Sequence, residues 1–386
     1  MFNQISVRCT IMRGGTSKAV FLKKNVLPTD PVERDKLILA IFGSPDVRQI
    51  DGLGGADITT SKVAVIGPPT RPDADIDYTF GQVQFKTAQV KWDGNCGNIS
   101  SAVGPYAIDE GMVKVQEPIT TVRIHNTNTG KILVAEVEVE DGMAKVEGDF
   151  AIDGVPGTGS MVRLNFAGTA GAGTGKLLPT GNPVDILDVE GLGKIPVSIV
   201  DLANPVACVE AESIGATGVE PAPDIRADAA LRDRMEKVRQ AAAEACGFVK
   251  PGESALEKSP ILPIIAYVSH ARDYNDYGTG KLIPGEDMDF VARNLYNQQP
   301  TDTFPITATF CITTAAQIDG TLVNKVCKER AHTENLVRFG HSRGINKVEV
   351  EVDNTPDGPI VKKAISTRTA RRIMDGYVYV KKSRLD

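Results

Sequence analysis

A cysteine at the predicted start of a helix is the residue of this sequence best suited to chemistry. Cys96 lies in the segment Gly94-Asn95-Cys96-Gly97-Asn98, directly before an apolar run from Ile99 to Ile108. At a helix start, unpaired N–H groups and the positive end of the helix dipole lower the pKa of a thiol and bind carboxylates. Gly97 would let a ligand approach the backbone closely. The alternative is the usual fate of a free cysteine, a small apolar side chain in the core.

A lysine is the second candidate for chemistry. Lys62 begins the strand pattern Lys62-Val63-Ala64-Val65-Ile66 and follows a glycine-rich approach over residues 52–55. A lysine in a dry cleft can lose its proton near neutral pH and serve as a base. The alternative is a solvated lysine at the start of a strand. Together, Lys62 and Cys96 would supply an amine and a thiol for moving protons.

Two glycine-containing turns are candidate anchors for an anion. In Arg13-Gly14-Gly15-Thr16-Ser17-Lys18, two glycines followed by hydroxyls form a possible nest of N–H donors, and a plain turn between two strands is the alternative. Gly340-His341-Ser342-Arg343-Gly344 offers the same two interpretations. The two turns supply Ser17 and Ser342 as candidate substrate contacts. The starts of the two apolar helical segments supply Gly97, Asn98 and Thr307.

One glycine-rich segment resembles a nucleotide P-loop but does not match its pattern. In Gly171-Ala172-Gly173-Thr174-Gly175-Lys176 the first required glycine falls on Ala170. The residue after the lysine is Leu177, which has no hydroxyl to hold Mg²⁺. Nucleotide hydrolysis is therefore rejected.

The hydrophobic pattern predicts the elements that position these residues. A helix capped by Asp30 ends at Gly43, and short strand patterns follow it. The run 99–108 contains many small residues, which predicts a helix buried on all sides, and Pro105 inside it is expected to kink or shorten it. A second small, apolar segment spans 307–320.

A short internal sequence repeat indicates two similar halves. Ala107-Ile108-Asp109-Glu110-Gly111 ends the first small-residue segment, and Ala316-Gln317-Ile318-Asp319-Gly320 ends the second. The sequence thus predicts an α+β protein of two pseudo-symmetric domains, each a strand-rich half around one buried helix. The predicted domains are 1–188 and 189–386, and the last strand is allowed to return to the first domain.

Composition excludes several classes of function. The chain of 386 residues carries a net charge of −6, and no run of Lys or Arg is long enough to bind nucleic acid non-specifically. No apolar stretch approaches the ~20 residues of a membrane helix, and the first residues do not resemble a secretory signal. The six cysteines form no C-x-x-C pair, and the four histidines have no metal-ligand spacing. We therefore expect a cytoplasmic protein without a structural metal.

Five motifs, in chain order, carry a family resemblance. Together they resemble the methylaconitate cis–trans isomerase family, which has the diaminopimelate epimerase fold, and the resemblance extends over nearly the whole chain. The motifs are Met12-Arg13-Gly14-Gly15-Thr16-Ser17-Lys18, Gly94-Asn95-Cys96-Gly97-Asn98, Gly154-Val155-Pro156-Gly157-Thr158-Gly159, Thr174-Gly175-Lys176-Leu177-Leu178-Pro179-Thr180-Gly181 and Arg368-Thr369-Ala370-Arg371-Arg372.

The resemblance implies a fold and a reaction. Each domain would be a β-barrel-like sheet around a central helix, with the active site in the cleft between the domains and neither metal nor organic cofactor. Lys62 and Cys96 match the positions of the lysine and cysteine that face the substrate. The implied reaction is a 1,3-allylic proton shift in an unsaturated dicarboxylate, with (R)-3-methylitaconate and 2,3-dimethylmaleate as the expected pair.

Two departures from the family pattern bear on the substrate. Thr301 stands where members acting on methylaconitate carry a histidine, and Gly340-His341-Ser342-Arg343-Gly344 replaces a Gly-His-Pro-Ser-Gly motif. Both changes favour a dicarboxylate over a tricarboxylate. Isomerisation of 2-methylaconitate or another tricarboxylate stays an alternative, as do a non-catalytic partner of an aconitase-like enzyme and a dicarboxylate-binding protein without turnover.

Two further points stay open in the sequence, and one alternative enzyme class lacks a residue it needs. The sequence does not tell which of Lys62 and Cys96 is the base, nor the oligomeric state, a homo-oligomer included. An amino-acid racemase would need a second thiol at the start of the second helix, where Thr307 stands and Cys311 lies about one turn inside.

Overall fold

The computed structural model describes residues 3–92, 95–152 and 154–385. The strands are, in chain order, β1 (Gln4–Gly14), β2 (Ser17–Lys23), β3 (Lys62–Gly67), β4 (Ile76–Val83), β5 (Val90–Lys91), β6 (Ile119–Asn126), β7 (Lys131–Glu140), β8 (Met143–Ala144), β9 (Val162–Asn165), β10 (Asp185–Val189), β11 (Gly193–Leu202), β12 (Asn204–Glu210), β13 (Ile264–His270), β14 (Tyr274–Asn275), β15 (Leu282–Ile283), β16 (Phe290–Tyr296), β17 (Gln299–Pro300), β18 (Leu336–His341), β19 (Gly344–Thr355), β20 (Gly358–Arg368) and β21 (Ala370–Lys381).

The helices are fewer, so the prediction of a strand-rich α+β protein is confirmed. They are α1 (Pro31–Phe42), α2 (Gly97–Asp109), α3 (Ala222–Ala227), α4 (Ala229–Ala245), α5 (Ala255–Lys258), α6 (Ile306–Gln317), α7 (Leu322–Val326) and α8 (Arg330–Glu334). Within the described ranges, no helix is both long and apolar enough to cross a membrane.

Contacts divide the chain into two compact units. The first is Met1–Asn165 with Thr367–Asp386, and the second is Phe166–Ser366. The division falls directly after β9, whereas the sequence placed it near residue 188. The C-terminal strand β21 belongs to the first unit because it pairs antiparallel with β1 along most of its length.

The first unit is a sheet that surrounds α2. From β21 the sheet continues through β1, β2, β3, β4, β6, β7 and β9, each paired with the next. Strands from both ends of this series, β21 and β1 at one end and β7 and β9 at the other, pack on α2. The helix is therefore enclosed by the sheet, as predicted for a central helix.

Small side chains explain why α2 can be buried on every side. Each residue from Ile99 to Ile108 is buried, as the sequence predicted. Of the two expected effects of Pro105, a kink or a shorter helix, the shortening does not occur, because α2 continues to Asp109. Packing from the surrounding strands outweighs the helix hydrogen bond that a proline removes.

The second unit has its own sheet and its own buried helix. Its strands pair in the order β10, β11, β12, β13, β16, β18, β19 and β20. Helix α6 packs on β11, β12, β18 and β19, and all its residues from Thr307 to Gln317 are buried. Helix α4 covers the other side of this sheet through an apolar cluster that includes Leu231, Met235 and Val238.

The local signals at α1 are confirmed. The Asp30 carboxylate accepts hydrogen bonds from the backbone N–H groups of Val32 and Glu33, and Gly43 ends the helix in the left-handed conformation with φ of 72°. The cap satisfies donors that the first turn would otherwise leave unpaired.

Candidate active site

Lys62 is held on one face of the first unit's sheet. Its ammonium group donates a hydrogen bond of 2.8 Å to Oε1 of Gln82 and lies 5.3 Å from the centroid of the Phe80 ring. The residue is only 9% exposed, so the alternative of a solvated lysine is wrong. The Gln82 amide in turn donates to the carbonyl oxygen of Ser61, which fixes its position.

Strand register explains this placement. Lys62 pairs with Ala19 of β2 on one side and with Gln82 of β4 on the other. Directly paired side chains project from the same face of a sheet, and so do residues two positions apart on one strand. Ser17, two residues before Ala19, therefore lies on the same face as Lys62, and it is buried.

Cys96 is the N-cap residue of α2, as the sequence predicted. Its carbonyl oxygen accepts from the backbone N–H of Ser100 at 2.9 Å and from the Ser100 hydroxyl at 3.0 Å. Its thiol makes no capping hydrogen bond, and the residue is half-buried. The preceding Asn95 accepts from the Ser100 hydroxyl and from the Asn126 amide, which ties the chain down before the helix. Gly94 of the same motif lies outside the described residues.

One face of β4 connects the lysine and the cysteine. Tyr78, Phe80 and Gln82 alternate along β4 and so share a face. Burial raises the pKa of the Tyr78 hydroxyl well above its usual range, and the nearby Cys96 raises it further. Tyr78 thus lies near Cys96, while Phe80 and Gln82 contact Lys62. One face of β4 therefore carries the residues that contact Lys62 and a tyrosine near Cys96.

The glycine turn predicted as an anion nest packs directly on the start of α2. A Cβ atom at Gly14 would lie 2.4 Å from the Asn98 carbonyl oxygen, and one at Gly15 would lie 2.2 Å from Asn98 Oδ1. Gly15 also has φ of 51°, which favours glycine. The Asn98 amide donates to the Thr16 hydroxyl at 3.0 Å. Two motifs far apart in the sequence therefore meet at the first turn of α2.

Basic residues surround this turn. Arg13 donates through Nη1 to the carbonyl oxygens of Gly15 and Thr369. Burial lowers the pKa of the Arg13 guanidinium, and the charge of Arg371 lowers it further. Arg368 also lies here, with its Cδ atom 3.3 Å from the position of a Cβ on Gly15. Arg368 was not among the site residues predicted from the sequence, although the basic segment 368–372 was a signal that could have led to it.

The two candidate contacts in the second unit lie at different elements. Thr307 is in the first turn of α6, where its hydroxyl accepts from the Asn204 amide at 2.9 Å. Ser342 lies in the tight turn between β18 and β19 and is only 1% exposed. Its hydroxyl has no hydrogen-bond partner among the described residues. Their roles as substrate contacts stay predictions.

The segment resembling a P-loop is occupied by the protein itself. Asp201 Oδ2 accepts from the backbone N–H groups of Gly173 and Thr174 and from the Thr174 hydroxyl, at 2.7–2.9 Å. A carboxylate of the protein therefore already bonds to the N–H groups that a phosphate would need. Across the described parts of the chain, no three His, Cys, Asp or Glu side chains cluster as a metal site would require.

Comparison with known proteins decides the family. The model of the PrpF protein family matches residues 4–381. The chain belongs to the PrpF family. It is 53% identical over 385 residues to 3-methylitaconate isomerase of Eubacterium barkeri, covering 100% of both chains, and 37% identical to 2-methyl-aconitate isomerase of Shewanella oneidensis, covering 98% of both. These relatives confirm the predicted family resemblance and identify the chain as an isomerase.

A solved structure of the PrpF fold supports the architecture. The crystal structure of a methylitaconate-delta-isomerase, 52% identical, superposes with a TM-score of 0.94 and covers 100% of this chain and 98% of its own. The predicted α+β fold, of the kind found in diaminopimelate epimerase, is confirmed.

Proposed function

We propose that this PrpF member interconverts (R)-3-methylitaconate and 2,3-dimethylmaleate in the cytoplasm, moving one proton across three carbons without a cofactor. The proposal is supported chiefly by Lys62, which donates a hydrogen bond to Gln82 of β4, and by Cys96 at the start of α2, near Tyr78 of the same strand. The full-length similarity to 3-methylitaconate isomerase supports the choice of substrate.

The reaction sets a clear electrostatic demand on the site. The C–H bond to be broken is allylic and next to a carboxylate, so removing the proton spreads negative charge into a dienolate. The start of α2 offers N–H groups at Gly97 and Asn98 and the positive end of a helix dipole. Fixed donors of this kind stabilise developing charge without reorganising, and losing one typically costs ~2.7–4 kcal/mol in the barrier.

Lys62 and Cys96 would act as the acid/base pair. One removes the proton and the other delivers it at the far carbon, or a single residue carries it across one face of the substrate. Ser17, Gly97 and Asn98 would hold the substrate in the first unit, and Thr307 and Ser342 are the proposed contacts from the second.

The test is isomerisation of (R)-3-methylitaconate in D₂O by the purified chain and by its Lys62→Ala and Cys96→Ala variants, with deuterium located by NMR. We expect turnover by the unaltered chain and a fall in kcat of about 10²–10⁴-fold in both variants. A loss confined to Cys96→Ala would indicate one-base chemistry. Near-normal kcat in both would contradict the assignment.

Isomerisation of 2-methylaconitate is the second candidate, favoured by the 37% identity to 2-methyl-aconitate isomerase. In this chain Thr301 is bonded to Asn294 through a 2.6 Å hydrogen bond between the hydroxyl and Oδ1. The same assay with a panel of unsaturated di- and tricarboxylates ranks the substrates by kcat/KM. Turnover by the purified chain alone would also exclude the need for an aconitase-like partner.

A further inference from the structure

Arg368 lies at the end of β20, where the chain returns to the first unit. Its Cδ atom is 3.3 Å from the position of a Cβ on Gly15, and that same position is 2.2 Å from Asn98 Oδ1. Arg368 and the first turn of α2 therefore pack on the same glycine. The Cδ atom of the arginine therefore lies beside the turn that contacts the first turn of α2.

No carboxylate in the parts of the chain that the structure describes pairs with Arg368. Among the described residues its guanidinium makes one hydrogen bond, from Nη1 to the carbonyl oxygen of Thr367 at 2.8 Å, and no ion pair with a carboxylate. Loss of hydration lowers the pKa of this group to about 10, so it stays protonated at neutral pH. A guanidinium has five N–H donors, and most of these are left for a ligand.

The neighbouring Arg372 shows what a structural arginine looks like in this segment. Its Nη1 lies 2.9 Å from Glu110 Oε1, and its Nε lies 3.5 Å from Asp109 Oδ2. Two carboxylates of the same unit thus accompany that charge, whereas none of the described carboxylates accompanies Arg368. A half-buried cation without an anion is costly unless a ligand supplies the opposite charge.

We propose that Arg368 binds a carboxylate of the substrate beside the start of α2, an inference that rests on the proposed function and names a binding residue for it. The flat guanidinium can donate two parallel hydrogen bonds to the two oxygens of one carboxylate, which fixes its orientation as well as its position. The proton donors and acceptors at Lys62 and Cys96 then meet a substrate that is already oriented.

The experiment compares Arg368→Gln and Arg368→Lys with the matched control Arg371→Gln in the full chain. Arg371 is exposed and lies three residues further along the same segment. The readouts are kcat and KM for (R)-3-methylitaconate, and the Kd for succinate and for its monomethyl ester by calorimetry. Thermal melts establish that each variant is folded.

We expect Arg368→Gln to raise KM and the succinate Kd by about 10- to 100-fold, the range for losing a hydrogen-bonded charge. The affinity for the monomethyl ester should change less, Arg368→Lys should recover part of the loss, and Arg371→Gln should stay within about twofold. A folded Arg368→Gln variant with unchanged KM and succinate Kd would overturn the role of Arg368 and leave the proposed reaction standing. A chain that binds succinate through Arg368 but does not turn over methylitaconate would overturn only the proposed reaction, and one that binds no dicarboxylate would overturn both.

Discussion

The two buried helices begin in different ways. Helix α2 begins at Cys96, which is half-buried and whose thiol makes no capping hydrogen bond. Helix α6 also lacks a side-chain cap, but its first-turn hydroxyl, on Thr307, is already bonded to Asn204. The thiol of α6, Cys311, lies about one turn inside, fully buried, and its Sγ donates to the carbonyl oxygen of Val200 at 2.6 Å.

This difference shows that a buried helix does not by itself make its thiol reactive. A run of small residues buries both helices, but only the first places a thiol where helix dipole and solvent can both reach it. Burial raises the pKa of the Cys311 thiol well above its usual range, which makes it inert as a nucleophile or base. An amino-acid racemase with a thiol on each of two helices is therefore disfavoured.

The largest expected effect compares these two cysteines directly. Cys96→Ala should lower kcat by about 10²–10⁴-fold, because it removes an acid/base group. Cys311→Ala should leave kcat within about threefold and cost stability instead, through lost packing around α6. Steady-state assays and thermal melts on both variants measure the two effects. Equal losses of kcat would show that the second thiol takes part and would restore the two-thiol alternative.

Features that depend on neighbouring residues could be predicted from the sequence, whereas contacts that depend on long-range strand pairing could not. The cap at Asp30, the stop at Gly43 and the helix start at Cys96 all depend on residues adjacent in the chain, so the sequence was enough to find them. The Lys62–Gln82 hydrogen bond depends on the register of β3 and β4. The contact of Arg368 with the Gly15 turn depends on the chain returning to the first unit at the end of β20, which no local pattern encodes.

The glycine turn against α2 gives the next largest effect. Gly15→Ala places a methyl group 2.2 Å from Asn98 Oδ1 at a φ of 51°, so Asn98 must move and its bond to Thr16 is lost. We expect kcat/KM to fall by about 10- to 100-fold, since displacing a positioning group by about 1 Å costs activity of this order.

Gly130→Ala is the matched control for backbone strain. Gly130 has φ of 68°, in the turn between β6 and β7, and a Cβ there would meet nothing within 4 Å. Both variants should lose about 1–2 kcal/mol of stability from the left-handed conformation, but only Gly15→Ala should lose activity. Equal activity in the two variants would show that the packing of the turn on α2 does not matter for the site.

Thiol labelling of the unaltered chain compares the reactivity of Cys96 with that of the other cysteines. Burial raises the pKa of the thiols of Cys9, Cys208, Cys246, Cys311 and Cys327, to about 12 for Cys208, Cys246 and Cys327. Iodoacetamide at pH 7.5 should therefore modify Cys96 at least ~10-fold faster than the others, because the thiolate is the reactive form. Mass spectrometry of digests gives the rates, and a dicarboxylate should protect Cys96. Faster labelling of Cys311 would contradict the assignment of the reactive thiol.

The smallest expected effect concerns the C-terminal ends of the two helices, where the short internal repeat lies. After α2, Glu110 is paired with Lys23 at 2.9 Å and Arg372 at 2.9 Å, whereas after α6 the Asn354 amide donates to the Gln317 carbonyl oxygen at 2.9 Å. Burial alone would raise the pKa of Glu110, but the hydrogen bonds and charges of Lys23 and Arg372 outweigh it and lower the pKa.

A carboxyl with a lowered pKa in the folded state adds stability above its unfolded pKa and loses it as pH falls through the folded value. Glu110→Gln should therefore be about 1–2 kcal/mol less stable than the unaltered chain at pH 7, with the gap closing below about pH 4. Asn354→Ala should cost less, by the same amount at every pH, because no charge is involved. Urea unfolding of both variants between pH 3 and pH 8 measures the gap, and a pH-independent loss in Glu110→Gln would show that its ion pairs add no stability.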